Sequence, residues 1–238
     1  RIELVLDAAK ARGLRDGENP ARWRGHLDKL FPKPSQVKPV KHHPALPWGQ
    51  APEFIHTVSE CTGLSYRAIE MTVLTACRTS EVLNATWDEL DLAREVWTIP
   101  AERMKARKEH RVPISAQLRT LIDRLPRLQS SPYLFPGQRA GRPLSNMAMA
   151  MALREMGPGA ITMHGFRSTF RDWAGECTAH PRDVCEQALA HALSSDVEAA
   201  YRRGDLLSKR RALMAEWADF LYSASRKAMA SVTERQHT

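Results

Sequence analysis

The chain has 238 residues, 43% hydrophobic and 26% charged, so it can bury a core and is neither disordered nor fibrous. Lysine and arginine outnumber aspartate and glutamate by 35 to 27, and the net charge of +8 favours a polyanionic partner such as nucleic acid. No apolar run reaches the roughly 18 residues of a membrane span and no signal peptide opens the chain, which excludes a membrane partner and predicts a cytoplasmic, nucleoid-associated protein.

The amino-terminal stretch follows a helical pattern from its first residue. Apolar residues recur up to Ala9, and Gly13 is a typical helix stop. We therefore interpret residues 1–16 as the remnant of a preceding domain and expect the chain to be a fragment. Residues 17–49 are rich in proline, lysine and histidine, which predicts an interdomain linker without regular structure. Its lysines are either a solvated tether or contacts along a DNA backbone.

From residue 50 the pattern becomes mainly helical. Helices are predicted over residues 53–61, 66–77, 116–128, 145–156, 181–190, 196–203 and 206–222, and after Gly165 with Phe166, Phe170 and Trp173 on its apolar face; a helical turn is predicted at 81–83. Short strands are predicted over residues 87–92, 96–100 and 110–115. The predicted fold class is mainly α with a small antiparallel β-sheet, an α+β catalytic domain over residues 50–238.

The four cysteines are widely spaced and lie in apolar helical contexts. We expect reduced thiols in the core of an intracellular protein at Cys61, Cys77, Cys177 and Cys185. His180 lies between the last two, but a fourth ligand at metal-site spacing is lacking. No metal and no other cofactor is therefore expected.

A charged arm, residues 101–109, connects the last two predicted strands. It carries Arg107 and Lys108, which are either a solvated loop or a contact to DNA phosphates. We also predict DNA contacts from Arg171, on the helix after Gly165, and from Arg202.

Two arginines have the chemistry of a phosphate clamp. His164 and Arg167 are three residues apart on one helical face, and Arg78 follows a predicted helix far earlier in the chain. Each guanidinium is permanently charged and offers a planar fork of donors that matches phosphate oxygens. A structural ion pair with Glu81 is the alternative interpretation of Arg78.

Tyr201 is the candidate nucleophile. A phenol with a pKa of about 10 is only about 0.1% ionised at pH 7, so it needs a base or a positive field. His164 and His191 are the candidate bases, and the sequence does not divide acid and base roles between them. Lys105 is the candidate acid for a departing 5′ oxygen, with Lys108 as its competitor. Taken singly, His164 also fits a helix-start histidine, and Tyr201 a packed aromatic side chain.

Other catalytic machinery is absent from the sequence. There is no glycine-rich phosphate loop ending in Gly-Lys-Ser/Thr, no Gly-x-Ser-x-Gly elbow and no carboxylate pair in a two-metal context. The residues therefore favour a metal-free reaction through a covalent phosphotyrosine.

These residues resemble the motifs of the tyrosine recombinase (phage integrase) family, in particular the integrases of P4-like prophages and genomic islands. The resemblance covers about residues 50–222. The matching segments are Thr-Ala-Cys-Arg-Thr-Ser-Glu at 75–81 with Glu81 as the supporting acid, Met-Lys at 104–105, His-Gly-Phe-Arg at 164–167, Leu-Ala-His at 189–191, and Tyr201 ten residues later.

The resemblance implies the tyrosine recombinase catalytic-domain fold, with residues 1–16 a remnant of a core-binding domain helix. It implies cleavage that leaves a 3′-phosphotyrosyl link and a free 5′-hydroxyl, without ATP or metal. The expected function is site-specific integration or excision of a prophage or genomic island by a homotetramer on double-stranded DNA. The fragment alone is expected to be a weakly binding monomer. The alternatives are a type IB topoisomerase-like DNA-relaxing enzyme and a catalytically inactive DNA-binding regulator.

Two features are left open by the resemblance. The family's usual glycine before the first arginine is replaced by the Ala76-Cys77 pair. The helix predicted over residues 206–222 docks either on its own domain or on a neighbouring protomer.

Overall fold

The computed structural model describes residues 1–32, 44–157, 161–191 and 204–224. The chain divides into two compact units, Arg1–His42 and His43–Thr238. The predicted helix over residues 196–203, with Tyr201 and Arg202, lies outside the described residues.

The second unit is built from short helices and one small sheet, labelled here in chain order together with the helices of the first unit. The helices are α1 (Ile2–Ala11), α2 (Asp28–Leu30), α3 (Ala51–Glu60), α4 (Leu64–Thr75), α5 (Thr79–Leu83), α6 (Ala116–Asp123), α7 (Asn146–Glu155), α8 (Gly165–Cys177), α9 (Arg182–Ala188) and α10 (Leu207–Leu221). The strands are β1 (Leu90–Asp91), β2 (Val96–Ile99) and β3 (His110–Pro113), and they form an antiparallel sheet in the order β1-β2-β3.

The fold class predicted from the sequence is confirmed, and the differences are at element ends. Helix α6 ends at Asp123 rather than 128, because Pro126 lacks an N–H and disfavours helix in the residue before it. The strand predicted over 87–92 begins only at Leu90. Residues Trp87–Glu89 form a tight helical turn instead, closed by a capping box between Thr86 and Glu89.

The first unit shows that the predicted linker is not wholly irregular. Residues 23–27 form a kinked turn, with extended backbone at Arg24 and positive φ at Gly25, and the short helix α2 follows directly. The prediction of a stretch without regular structure is wrong here, because no proline occurs between Pro20 and Pro32. Asn19 is buried and donates hydrogen bonds to the carbonyl of Glu3 (2.9 Å) and to Asp7 Oδ1 (2.7 Å), which ties the start of this stretch to α1.

Residues 44–49, predicted as the end of the linker, belong to the second unit and pack within it. Leu46 is buried and its carbonyl accepts a hydrogen bond from Thr169 Oγ1 at 2.7 Å, within α8. A Cβ at residue 165 would overlap the carbonyl of Pro44, so the first residue of α8 must be glycine. The prolines of this segment were interpreted as a sign of a linker, and the burial of Leu46 was therefore not predicted from the sequence.

The carboxy-terminal helix α10 docks on its own chain. It packs against α3, α4, α6, α8, α9 and β3. Trp217 is buried, packs against Trp173 of α8 with ring centroids 4.8 Å apart and the ring planes tilted by 47°, and donates its indole N–H to the carbonyl of Val73 at 2.9 Å. Burying side chains of this size stabilises the fold by roughly 2–3 kcal/mol each. In this single chain α10 therefore adopts the cis arrangement, one of the two alternatives left open by the sequence.

All four cysteines are free thiols. Cys77 and Cys185 are buried as predicted, and Cys61 is half-buried. Cys177 is exposed, so its prediction as a core thiol is wrong; it is the last residue of α8 and faces away from the core. Within the described residues no cluster of three His, Cys, Asp or Glu side chains is arranged to hold a metal ion. None of the helices in that part of the chain is long and apolar enough to span a bilayer.

Candidate active site

Arg78 lies at a sharp junction between two helices. Helix α4 ends at Thr75, Ala76 adopts a left-handed conformation with φ 51°, and Arg78 caps the start of α5. Ala76 occupies the place where the resemblance expects glycine, and left-handed geometry costs a residue with a Cβ about 1–2 kcal/mol. The chain therefore keeps the turn geometry at some cost in stability.

The ion pair of Arg78 with Glu81, one of the two interpretations left open by the sequence, is present, and the role of Arg78 in a phosphate clamp stays a prediction. Glu81 is 2% exposed; its Oε1 lies 2.8 Å from Arg78 Nη1 and its Oε2 accepts the backbone N–H of Arg78 at 2.7 Å. The Arg78 side chain nevertheless stays 23% exposed. The buried carboxylate fixes one edge of the guanidinium and leaves the rest available to an external anion.

Arg167 is a buried cation held by neutral groups. Its Nη1 donates to the carbonyl of Ala76 (2.6 Å), and its Nη2 donates to the carbonyl of Leu189 (2.5 Å) and lies 3.1 Å from His191 Nε2. The residue is 4% exposed, and none of the described residues forms an ion pair with it. Burial and then the nearby charge of Arg78 lower the pKa of Arg167. Two adjacent positive charges in this setting favour a bound anion.

The two arginines also bind the two strained turns of the site. Ala76 and Ala190 both have positive φ, 51° and 49°, which is unusual for residues other than glycine. The carbonyl of Ala76 accepts from Arg167, and that of Ala190 from Arg78 Nη2 at 3.5 Å. Such conformations persist where the surroundings enforce them, and they concentrate at functional sites.

His191 completes the cluster, and its tautomer follows from its partners. Arg167 can only donate, so Nε2 of His191 accepts its hydrogen bond and the ring proton sits on Nδ1. Nδ1 then donates to Glu186 Oε2 at 2.6 Å. In this form the Nε2 lone pair faces the arginines, as a proton acceptor requires.

Glu186 is a site residue that the sequence interpretation missed. It lies on α9 and also accepts a hydrogen bond from Arg171 Nε at 2.8 Å. Burial alone raises the pKa of Glu186, but the hydrogen bonds from His191 and Arg171 outweigh it and lower that pKa. A spacing of five residues does not match one helical face. Only the left-handed turn at Ala190 folds His191 back onto Glu186. Arg171 was predicted to contact DNA, which stays a prediction beside this structural ion pair.

His164 lies immediately before α8, at the same helix end as Arg167. It is exposed and occupies the position preceding the first helical residue, as the interpretation of a helix-start histidine predicts. Its catalytic role stays a prediction.

The charged arm is exposed at its tip and anchored at its root. Lys105, Arg107 and Lys108 are exposed, and within the described residues Lys105 has no hydrogen bond or ion pair. At the root, Met104 is buried and Arg103 binds both the Glu89 carboxylate and the carbonyl of Glu81. The root of the arm is therefore tied to α5, the helix that Arg78 caps.

His110, on β3, is a second group that the sequence interpretation missed, because its position in a strand predicts only a core residue. Burial and the charges of Arg210 and Arg167, with a smaller contribution from Arg78, lower the pKa of His110 from 6.5 to about 3, although a hydrogen bond with the backbone of Ala188 opposes the shift. His110 is therefore neutral next to the arginines at any pH at which the protein works.

This shift predicts a pH-dependent stability. Between pH 6.5 and 3 the unfolded chain binds a proton at His110 and the folded chain does not, so the free energy of unfolding should fall as pH falls, by up to about 1.4 kcal/mol per pH unit. Urea unfolding of the wild type and of His110→Gln between pH 7.5 and 5 measures the effect. The variant should show a shallower dependence; equal slopes would contradict the assignment.

The chain is similar to known integrases in both sequence and structure. A model of the phage integrase family matches residues 46–206. The chain is 32% identical over 229 residues to the prophage integrase IntA of Escherichia coli K12, a match covering 94% of this chain and 53% of IntA. It is 35% identical over 202 residues to the integrase of Enterobacteria phage P4, covering 76% of this chain and 46% of that protein. The chain thus spans about half the length of these relatives.

Solved structures show the same fold. The integrase from mycobacterium phage Brujita aligns with a TM-score of 0.57 at 16% identity, over 90% of this chain and 68% of that chain. A lambda integrase dimer bound to a COC′ core site aligns with a TM-score of 0.57 at 17% identity, over 86% of this chain and 70% of the other. The predicted tyrosine recombinase catalytic-domain fold is confirmed.

Proposed function

Because the chain belongs to the phage integrase family, we propose that it is the catalytic part of a site-specific tyrosine recombinase, which cuts and rejoins double-stranded DNA to integrate or excise a prophage or genomic island. Its named relatives are integrases of phages and prophages. The chain spans about half of their length, so the reaction is proposed for the protein of which this domain is the catalytic part.

One observation carries the proposal. Three segments of the chain contribute Arg78, Arg167 and His191, and the first and last of these residues are more than a hundred positions apart. Their side chains meet around the carbonyls of residues 189 and 190. Two cations and a neutral imidazole, whose Nε2 accepts a hydrogen bond from Arg167, supply the charge neutralisation and the proton acceptor that cleavage of a phosphodiester needs.

In the proposed reaction the Tyr201 oxygen attacks a DNA phosphorus and gives up its proton, with His191 Nε2 as the acceptor that the geometry supports best. The arginines neutralise the charge that develops on the non-bridging oxygens. The bond to the 5′ oxygen breaks, and Lys105 protonates the leaving group. The 5′-hydroxyl of a partner strand then gives its proton to Lys105 and attacks the 3′-phosphotyrosyl ester, and Tyr201 leaves as it recovers its proton from His191. Bond energy is conserved, so the scheme uses no nucleotide cofactor.

The proposed partner is duplex DNA, bound by a homotetramer across two sites. The net charge of +8 and the exposed basic arm support a polyanion. Two structural neighbours, the lambda integrase and the Tn1549 transposon integrase, were solved with DNA. The roles of Arg107, Lys108, Arg171 and Arg202 in DNA contact belong to this proposal.

A nicked suicide duplex carrying a candidate attachment site tests the function. Loss of the short cleaved fragment traps the adduct, so a denaturant-resistant protein-DNA complex with a free 5′-hydroxyl should accumulate in the presence of EDTA and without ATP. Two attachment-site duplexes should also exchange strands. Relaxation of supercoiled DNA at many sequences without strand exchange would favour the topoisomerase-like alternative. DNA binding without an adduct would favour the inactive regulator.

The role of Lys105 gives a separate prediction. Lys105→Ala should slow cleavage, because the 5′ alkoxide then departs without a proton donor, and general acid catalysis contributes about 10²- to 10⁴-fold. A substrate with sulfur at the 5′ bridging position has a leaving group that needs no proton, so it should restore the rate of the variant.

Lys108→Ala is the matched control, since both lysines are exposed on the same arm. It should weaken DNA binding without a defect that sulfur substitution repairs. Rescue of Lys108→Ala but not of Lys105→Ala would move the acid to Lys108.

A further inference from the structure

Asp205, four residues after the candidate nucleophile in the sequence, has a carboxylate held by two arginines. Arg111 Nε donates to Asp205 Oδ2 at 2.8 Å and Arg111 Nη2 lies 2.8 Å from Oδ1, a bidentate pair. Arg210 Nη2 donates to Oδ2 at 2.9 Å. Burial alone raises the pKa of Asp205, but the hydrogen bond from Arg111 and the charges of both arginines lower it, so the cluster stays charged. We call these three residues the Asp205 clamp.

Arg210 also binds main chain on both sides of the clamp. Its Nε donates to the carbonyl of Asp205 at 2.7 Å, and its Nη1 donates to the carbonyl of Arg111 at 2.5 Å. The residue is only 1% exposed. A single buried cation therefore fixes the backbone before α10 to the backbone of β3.

The clamp joins the ends of two segments that carry proposed catalytic groups. Asp205 comes four residues after Tyr201, so their Cα atoms are at most about 14 Å apart in any conformation. Arg111 lies in β3, directly after the arm that bears Lys105. The clamp thus fixes the chain at Asp205, four residues after the proposed nucleophile, to the strand that follows the arm with the proposed acid.

Helix docking alone does not account for the clamp. Helix α10 is already held by Trp217 and its aromatic neighbours on α8. A buried guanidinium costs several kcal/mol of desolvation, which apolar packing would avoid. The turn at the clamp is also strained, since Leu206 has φ 53°. Hydrogen bonds in a polar cluster at a strained residue fix the direction in which the chain enters α10 and its register against β3. An apolar contact does not fix either of these.

We propose that the Asp205 clamp positions Tyr201 for attack on the phosphate bound by Arg78 and Arg167, and that Asp205 is a positioning residue for the cleavage step. The proposal rests on the proposed function. It requires that Asp205 act by placing Tyr201 and not by changing the positions of Arg78 and Arg167.

Asp205→Asn tests the first part. The amide keeps the size but loses the charge that holds both arginines, and a misplacement of about 1 Å costs up to 10²-fold in rate. Adduct formation on the suicide duplex, measured at saturating DNA and per folded molecule, should slow by about 10- to 100-fold with DNA affinity unchanged. Asp219→Asn is the control: this carboxylate lies on the same helix, accepts a hydrogen bond from Gln117 at 2.8 Å, and should leave the rate unaltered.

A strand-joining assay that bypasses Tyr201 separates positioning from a structural role. DNA ending in a 3′-(4-nitrophenyl) phosphate replaces the tyrosyl ester: a 5′-hydroxyl attacks phosphorus, the new P–O bond forms, and 4-nitrophenolate leaves. In a Tyr201→Phe background Asp205→Asn should join this substrate at the unaltered rate.

The outcomes are distinct. A parallel fall of adduct formation and nitrophenyl joining, or an unchanged adduct rate, overturns the positioning role of Asp205 while the recombinase proposal stands. If the unsubstituted protein forms no adduct, the proposed function fails and the positioning role fails with it.

Discussion

Tyr201→Phe is expected to abolish the covalent protein-DNA adduct while DNA affinity stays nearly unchanged. Phenylalanine keeps the ring and removes only the oxygen that forms the phosphodiester bond, so no partial activity through the same intermediate is possible. The adduct is measured on a nicked suicide duplex by denaturing electrophoresis, and affinity by fluorescence anisotropy at a stated salt concentration.

Tyr133→Phe is the matched control for this substitution. Tyr133 is half-buried, its backbone pairs with that of Thr86 in an isolated β-bridge, and no catalytic role is proposed for it. Loss of the Tyr133 hydroxyl should leave adduct formation intact. Adduct formation by Tyr201→Phe would show that another residue is the nucleophile.

Arg78→Lys is expected to lower the cleavage rate by about 10²-fold or more, the loss that follows removal of one donor to a developing oxyanion. Lysine preserves the positive charge that buried Glu81 requires, so the fold should survive. It cannot reproduce the planar fork that binds Glu81 on one edge and phosphate on the other. Single-turnover cleavage at saturating DNA measures the effect.

The chain offers a close control for Arg78. Arg67 and Glu70 on α4 form another arginine-glutamate pair three residues apart, with the arginine 19% exposed and the glutamate buried. Arg67→Lys makes the same chemical change away from the site, so it should cost a similar amount of stability without slowing cleavage. Equal rate losses in both variants would mean that Arg78 acts only through the fold.

Much of the site could be predicted from the sequence because its key residues occur in short local patterns. Arg167 lies one helical turn after His164, and the pair at Arg78 and Glu81 also spans three residues. Helical periodicity predicted most of the helices that carry these residues. Together with the three predicted strands, it gave the mainly α fold class with a small sheet. The structure adds that Arg78, Arg167 and His191 meet.

The residues that were missed are those whose roles depend on contacts between distant segments. Glu186 reaches His191 only because of the left-handed turn at Ala190, and His110 lies near arginines of other elements. Asp205 meets Arg111 from a strand 94 residues earlier. Neither periodicity nor spacing encodes such encounters, since they arise from tertiary packing.

The most direct test of the central claim is to identify the residue that becomes linked to DNA. The trapped adduct is digested with trypsin and nuclease, and the modified peptide is sequenced by tandem mass spectrometry. A nucleotide 3′-phosphate on Tyr201, in the peptide from Asp183 to Arg202, is the predicted result. A phosphate on any other side chain, or no covalent link at an attachment site that the protein cleaves, would contradict the account.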